Sequence, residues 1–252
     1  MNIQLIRNAT LIIRYGGQTI LVDPFLAEQG AYPGFPNTAN QEKMNPLVGL
    51  PVPVADIIKA DAVMVTHLHP DHFDQAAVDL LPKDMPIFAQ SADDAETIRK
   101  SGFLNVQTFE APAKLGDITL FKTGGQHGTG EIGKLMGPVS GIVMQHYDEQ
   151  TLYIAGDTIW CSEVAEAIGT YQPQVIVVNG GAAQPLGADP ITMTKEDIRQ
   201  VHKAAKYATI IVCHMEAVNH CLLTREELRS HVSDQGLASK VLVPGDGETI
   251  TL

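Results

Sequence analysis

The stretch Ala62-Val63-Met64-Val65-Thr66-His67-Leu68-His69-Pro70-Asp71-His72 decides how the chain is read. A short apolar run opening at Asp61 and closing at Thr66 reads as a buried strand. Of the six residues from His67 to His72, four carry good metal-donor atoms: His67, His69, Asp71 and His72. Irregular backbone at a strand end can aim His67 and His69 at one ion and let Asp71 and His72 turn toward a second. Closely spaced imidazoles and a carboxylate are costly to desolvate unless coordination compensates them. An exposed His-rich turn is the plain alternative, and further candidate donors elsewhere in the chain weigh against it.

Outward from this loop, the pattern is strand and helix in alternation. Toward the N-terminus, Ile3 and Leu5, then Leu11-Ile12-Ile13, then Thr19-Ile20-Leu21-Val22 after Gly16-Gly17 read as an antiparallel meander. Toward the C-terminus, residues 74–81 have helical spacing with Asp74 as N-cap, Ile87-Phe88-Ala89 is a strand, and residues 91–100 form a helix closed by Gly102. Strands follow at 106–109, 118–122, 139–147, 152–155, 175–178 and 210–213. Helices are expected at 162–168, 194–207 and 224–235, the last two opened by Thr-x-x-Asp and Thr-x-x-Glu capping signals. Two β-rich halves interleaved with helices imply an α/β sandwich with helices covering packed sheets.

Other donors follow apolar runs later in the chain: Gly124-Gly125-Gln126-His127-Gly128, Ala155-Gly156-Asp157-Thr158 and Val212-Cys213-His214. With the H-x-H-x-D-H loop and the early Leu21-Val22-Asp23-Pro24, this set resembles the metallo-β-lactamase-fold hydrolase superfamily over nearly the whole chain. The resemblance implies one domain, residues 1–252, folded as a four-layered αββα sandwich. It implies two divalent ions, one held by His67, His69 and His127, the other by Asp71, His72 and His214, with Asp157 bridging. It further implies that Asp23 braces the ligand loop, where an ordinary Asp-Pro turn is the simpler reading.

Within the superfamily, Asn8-Ala9-Thr10, the Leu-Val-Asp-Pro and the Gly-Asp-Thr are most similar to the branch holding L-ascorbate-6-phosphate lactonase and N-acylphosphatidylethanolamine phospholipase D, although Asn8 stands where many members carry His. Asp157 stands where zinc β-lactamases would have Cys, which turns the reading away from antibiotic hydrolysis.

Two divalent cations outweigh the charge of Asp71 and Asp157, so the expected centre is net positive and can hold a metal-bridged hydroxide as nucleophile beside an anionic substrate. Asp71 is expected to orient that hydroxide or accept its proton. Imidazole-rich mixed sites suit zinc, manganese or iron, with zinc favoured here. The expected reaction is hydrolysis of a small anionic lactone, ester or phosphodiester. Iron-dependent thiol or persulfide oxygenation is an alternative that the second set of ligands argues against, and a non-catalytic metal-binding protein is another.

Weaker signals surround these. Gly128-Thr129-Gly130-Glu131-Ile132-Gly133 spells a dinucleotide-type G-x-G-x-x-G, but it follows a candidate ligand, and Gly137-Pro138 soon interrupts any helix. Gly128 and Thr129 are instead expected to line the metal cleft and meet substrate. Glu216 and His220 follow His214, and His220 is a candidate to donate to the substrate or leaving group. His146, His202 and His231 lack companions and stay outside the expected site. The segment 24–53 holds six of the chain's fifteen prolines; it is too long for a mere connection and reads as a lid presenting Phe25, Tyr32 and Phe35 to substrate.

Composition sets the bounds. At 252 residues with 44% hydrophobic and 18% charged, the chain can bury a full core. Seventeen basic against twenty-nine acidic residues give −12, which disfavours nucleic acid and anionic membranes as partners. Three cysteines, Cys161, Cys213 and Cys221, make no disulfide framework and read as packing residues, with Cys161 nearest the cleft. A reducing, cytoplasmic setting is expected, with a small-molecule substrate as partner and homo-oligomer formation left open.

Overall fold

The computed structural model describes residues 1–109 and 111–252. The opening runs form β1 (Asn2–Arg7), β2 (Thr10–Tyr15) and β3 (Gln18–Val22), paired antiparallel in succession. Thereafter α1 (Val54–Ile57), β4 (Ala62–Val65), α2 (Gln75–Leu80), β5 (Ile87–Ala89), α3 (Ala92–Lys100) and β6 (Val106–Thr108) alternate, and β3 through β6 pair in parallel.

The second half repeats this plan. An antiparallel run of β7 (Ala113–Leu115), β8 (Ile118–Thr123), β9 (Gly141–Gln145) and β10 (Leu152–Ile154), with α4 (Gly130–Met136) between β8 and β9, gives way to α5 (Ser162–Tyr171), β11 (Val175–Asn179), α6 (Lys195–Ala204), β12 (Thr209–Cys213), α7 (Arg225–Asp234) and β13 (Val241–Leu242). Strands β10 to β13 are parallel. Finally β14 (Thr249–Thr251) returns to the edge of the first sheet beside β1. Among the described residues the result is two seven-stranded sheets, β14-β1-β2-β3-β4-β5-β6 and β13-β12-β11-β10-β9-β8-β7.

Strand alternation builds four layers from this order. One face of the first sheet sends Ile3, Leu5, Leu11, Ile13, Ile20 and Met64 against Leu120, Ile142, Ile154 and Val177 of the second, making the inter-sheet core. The opposite face of the first sheet (Ile6, Leu21, Val63, Val65, Ile87) is covered by Ile57, Ala77, Ala95 and Ile98 from α1 to α3. Val164, Ile168, Ile198, Val201, Leu228 and Val232 from α5 to α7 cover the outer face of the second. Strands such as β4 and β11 are buried along their whole length because both faces are covered, which explains their unbroken apolar runs. The fold is the αββα sandwich of the metallo-β-lactamase type.

Capping chemistry sets the helix starts. Asp74 accepts from Ala77 N, Ser91 from Asp94 N, and Thr194 and Thr224 form capping boxes with Asp197 and Glu227. The G-x-G-x-x-G stretch leads into a short helix, α4, which Gly137 ends after seven residues, as Gly137-Pro138 predicts. Elements β7, β13, β14 and α1 have only two to four residues each and no periodicity to betray them. Among the described residues no helix is long and apolar enough to cross a membrane.

Candidate metal centre

Topology gathers the candidate donors. Strands β3 and β4 run parallel, so Asp23 and Thr66-His67 leave the same end of the first sheet; β10, β11 and β12 run parallel, so Asp157, Asn179 and His214 leave one end of the second. Leu11 pairs with Val22, which puts the β1–β2 turn at Asn8 over the same end, and Thr123 pairs with Gly141, leading to His127. Carboxyl ends of parallel strands are where α/β folds leave a crevice.

All seven expected donors converge there. Three groups, His67/His69/His127, His67/His72/Asp157 and Asp71/His72/His214, place their ligand atoms within 4.8 Å of one another. Asp157 reaches across them: Oδ2 lies 3.3 Å from His72 Nε2 and 3.5 Å from His127 Nε2, while Oδ1 lies 3.6 Å from His214 Nε2. His214 Nε2 also lies 3.1 Å from Asp71 Oδ2.

Each imidazole is gripped from outside by one nitrogen. His72 Nδ1 donates to Asp23 Oδ2 at 2.9 Å, His127 Nδ1 to Ile191 O at 2.7 Å, and His69 Nε2 to Met136 O at 3.1 Å. Thr66 Oγ1 gives its proton to Asp23, so at 3.1 Å it accepts from His67 Nδ1. His214 Nδ1 contacts Cys221 Sγ at 3.3 Å. Such outer partners fix the tautomer and aim the other nitrogen at the metal position. Among the described residues His67 Nε2, His72 Nε2 and His214 Nε2 are buried with no hydrogen-bond partner. Unpartnered imidazole nitrogens facing two carboxylates are a donor set that divalent cations fit.

The charges are strongly coupled. Burial opposes ionisation of Asp157 and Asp71, but the neighbouring imidazoles of His214 and His72 outweigh it and hold both carboxyls well below the usual range. Burial likewise opposes charge on His72, yet Asp157 and Asp23 raise it to about 10, and His214 is raised well above the ordinary imidazole value by Asp157. Burial pushes His67 and His127 down. His214, Asp23 and Asn8 all hold left-handed backbone (φ 59°, 44° and 57°), conformations uncommon for side-chain-bearing residues and concentrated here at the cluster.

A family model described as the beta-lactamase superfamily domain matches residues 18–215, which include every one of these donors. The chain belongs to that superfamily. A protein of Bacillus subtilis (strain 168), UPF0173 protein YddR, is 49% identical over 100% of both chains, so the chain is also a member of the UPF0173 family. Two crystal structures share the whole fold: an isothiocyanate hydrolase from Delia radicum gut bacteria, 44% identical with a TM-score of 0.97, and a possible metal-dependent hydrolase from Veillonella parvula DSM 2008, 40% identical with a TM-score of 0.98. Each likeness covers 100% of this chain and 99% of the other.

Beside the donors opens a cleft of about 580 Å³, touching His69, Asp71, His127, Asp157 and His220 at its floor. Its walls are Phe35 to Thr38 on one side, Ile132, Leu135 and Met136 of α4 on another, and Pro185, Leu186 and Ile191 on a third. No Lys or Arg is among them. His220 is 9% exposed, burial pushes its imidazole down to about 4, and its ring meets Phe35 edge-on at 4.7 Å.

Several expected contacts fall elsewhere. Gly128 and Thr129 are not among the residues bounding this cleft: Gly128, at φ 98°, sits against Ile191 and Ile132, Thr129 lines an adjoining pocket that shares Ile132, and α4 presents its own side chains instead. Phe25 is buried beneath Arg7 and stacked on Tyr32, leaving Phe35 as the aromatic of segment 24–53 that reaches the cleft. That segment is packed rather than lifted away; Arg7 donates to Phe25 O, Ala27 O and Val48 O, and Asp74 accepts from Leu26 N and Ala27 N. Glu216 is taken up by Arg225, accepting from its backbone N and from Nη1. The cysteine that touches a donor is Cys221, whereas Cys161 meets Thr158.

Two more neighbours hold the carboxylates: Asn179, which escapes sequence reasoning, and Asn8, which stands out there only as the position where many similar proteins carry His. Asn8 Nδ2 donates to Asp71 Oδ2 at 3.1 Å, and Asn179 Nδ2 donates to Asp157 Oδ1 at 2.6 Å. Asn179 ends an apolar strand without distinction. Gly181 is also dictated by the site, since a Cβ there would lie 2.1 Å from His214 O.

Proposed function

We propose that the protein is a metal-dependent hydrolase with a two-ion centre, acting on a small, largely apolar electrophile. The observation that carries this reading is the convergence of three buried, unpartnered imidazole nitrogens on Asp71 and Asp157 at the floor of an open apolar cleft. His67, His69 and His127 would hold one ion, Asp71, His72 and His214 the other, with Asp157 shared. Zinc is favoured by the imidazole-rich set, and manganese or iron also suits it. Bound divalent ions supply water of lowered pKa as nucleophile at neutral pH and polarise the bond under attack.

The chain's own residues divide the remaining work. Asp71, held ionised and lining the cleft, accepts a hydrogen bond from attacking water and orients it. His220, neutral near pH 7, faces the same space and offers a ring N–H to a substrate heteroatom. Asp23 keeps His72 and the Thr66 backbone in register through bonds of 2.9 and 2.7 Å.

The similarity to an isothiocyanate hydrolase supports a heterocumulene as substrate class. Hydrolysis of R–N=C=S by one water gives R–NH2 and COS, which requires water at the central carbon and protons at nitrogen. Apolar walls without Lys or Arg suit such a neutral molecule better than the anionic lactone or phosphodiester that the branch resemblance implies. The test is turnover of a panel of isothiocyanates, lactones, phosphodiesters and thioesters by protein of measured metal content. Isothiocyanate turnover dependent on bound metal is expected; metal-loaded protein inert on the whole panel would overturn the reading.

A further inference from the structure

Asn219 lies in the loop that carries the last candidate ligand, five residues after His214 and directly before His220, and is 1% exposed. All of its polar atoms are used on segment 24–53. Its Oδ1 accepts from Phe35 N at 2.8 Å and from Asn45 Nδ2 at 2.9 Å, and its Nδ2 donates to Thr38 Oγ1 at 2.7 Å and Ala39 O at 2.9 Å. Its backbone N donates to Asn45 Oδ1 at 2.9 Å, and its carbonyl accepts from Asn40 Nδ2 at 3.2 Å.

A side chain accepting twice and donating twice at this reach must be a short carboxamide. Asp has no donor, Leu has neither function, and Gln is one carbon too long. The residues so gripped are the first wall of the cleft, with Phe35 edge-on against His220. The grip continues into the opposite wall, because Thr38 bridges Pro185 and Leu186 N donates to Asn37 O at 2.7 Å.

We propose that Asn219 is a positioning residue that sets which substituents the cleft accepts, by fixing the wall from Phe35 to Thr38 relative to His220 and the donor cluster. The proposal rests on the hydrolase reading above. Asn219 makes no side-chain bond to any of the seven donors, so its loss should move the wall and leave the metal set in place. Segment 24–53 is then a built wall clasped to the ligand loop, in place of a lid that swings.

The experiment compares metal-loaded wild-type protein with Asn219→Ala and, as a gentler change that removes one bond from the rim and suits the left-handed backbone there (φ 54°), Asn40→Gly. Readouts are metal content, kcat and KM for methyl, butyl and benzyl isothiocyanate, and amide hydrogen exchange over residues 33–45. Asn219→Ala is expected to keep its metal, raise KM for the benzyl compound by roughly tenfold while kcat changes much less, compress the preference among the three, and speed exchange at Phe35. Asn40→Gly should shift the same quantities the same way by less. Unchanged KM ratios in both variants, or metal loss without faster exchange in the wall, would overturn the proposal. Wild-type protein that binds metal but turns over none of the three defeats the isothiocyanate reading separately, and the exchange data then still decide whether Asn219 holds the wall.

Discussion

His72 Nδ1 stands 2.9 Å from Asp23 Oδ2, and this bond leaves the opposite ring nitrogen facing Asp157. Asp23 also takes the Thr66 amide and hydroxyl at 2.7 Å each, so one buried carboxylate orients His72 directly and His67 through Thr66. Removing it frees two candidate ligands at once. Asp23→Ala is expected to weaken metal affinity by roughly 10–100-fold, a range typical of lost outer partners, while leaving the ligand list intact. Competition with a chelator of known affinity measures this; equal affinity would show that Asp23 is merely the start of an Asp-Pro turn.

Metal uptake should expel protons. His72 is raised to about 10 and His214 well above its ordinary value, so near pH 7.5 both rings carry a proton until a metal takes its place. A raised value means the charged form persists as pH climbs through the neutral range, so affinity for metal should rise with pH. Roughly two protons per chain are expected on loading at pH 7.5, read from binding heats in buffers of different ionisation enthalpy. No net release would mean that these rings are already neutral or do not coordinate.

How much of this was legible depends on how locally each feature is encoded. The H-x-H-x-D-H loop declares itself because its donors are neighbours in sequence, and caps such as Asp74 and Thr224 depend only on residues three positions away. Asn8 and Asn179 reach their carboxylates across 63 and 22 residues, and neither residue type has a pattern that announces a partner so remote. Gly128 misled for the opposite reason. It adjoins His127, yet the wall is made by the longer side chains of Ile132, Leu135 and Met136 in α4, which begins two residues later. Phe25 and Phe35 look alike as exposed aromatics of a Pro-rich loop, and only packing under Arg7 separates the buried one from the one at the cleft.

Leu186 is 68% exposed and Leu135 75% exposed along the cleft, which places both apolar side chains where an apolar substrate would meet them. Leu186→Asp should therefore raise KM for an apolar isothiocyanate by about tenfold with metal content unchanged. Steady-state kinetics beside elemental analysis checks this, and an unchanged KM would remove the mouth from substrate recognition.

Seven side chains from both sheets are proposed to form one two-ion centre. Seven donors exceed what a single tetrahedral ion uses. Elemental analysis after reconstitution with zinc, on wild-type protein alongside Asp157→Ala with His202→Ala as control, tests it most directly. Wild type and His202→Ala should saturate at about two ions per chain, and Asp157→Ala should fall to about one or fewer. Wild-type saturation at a single ion, or full occupancy in Asp157→Ala, would contradict a two-ion centre bridged by Asp157.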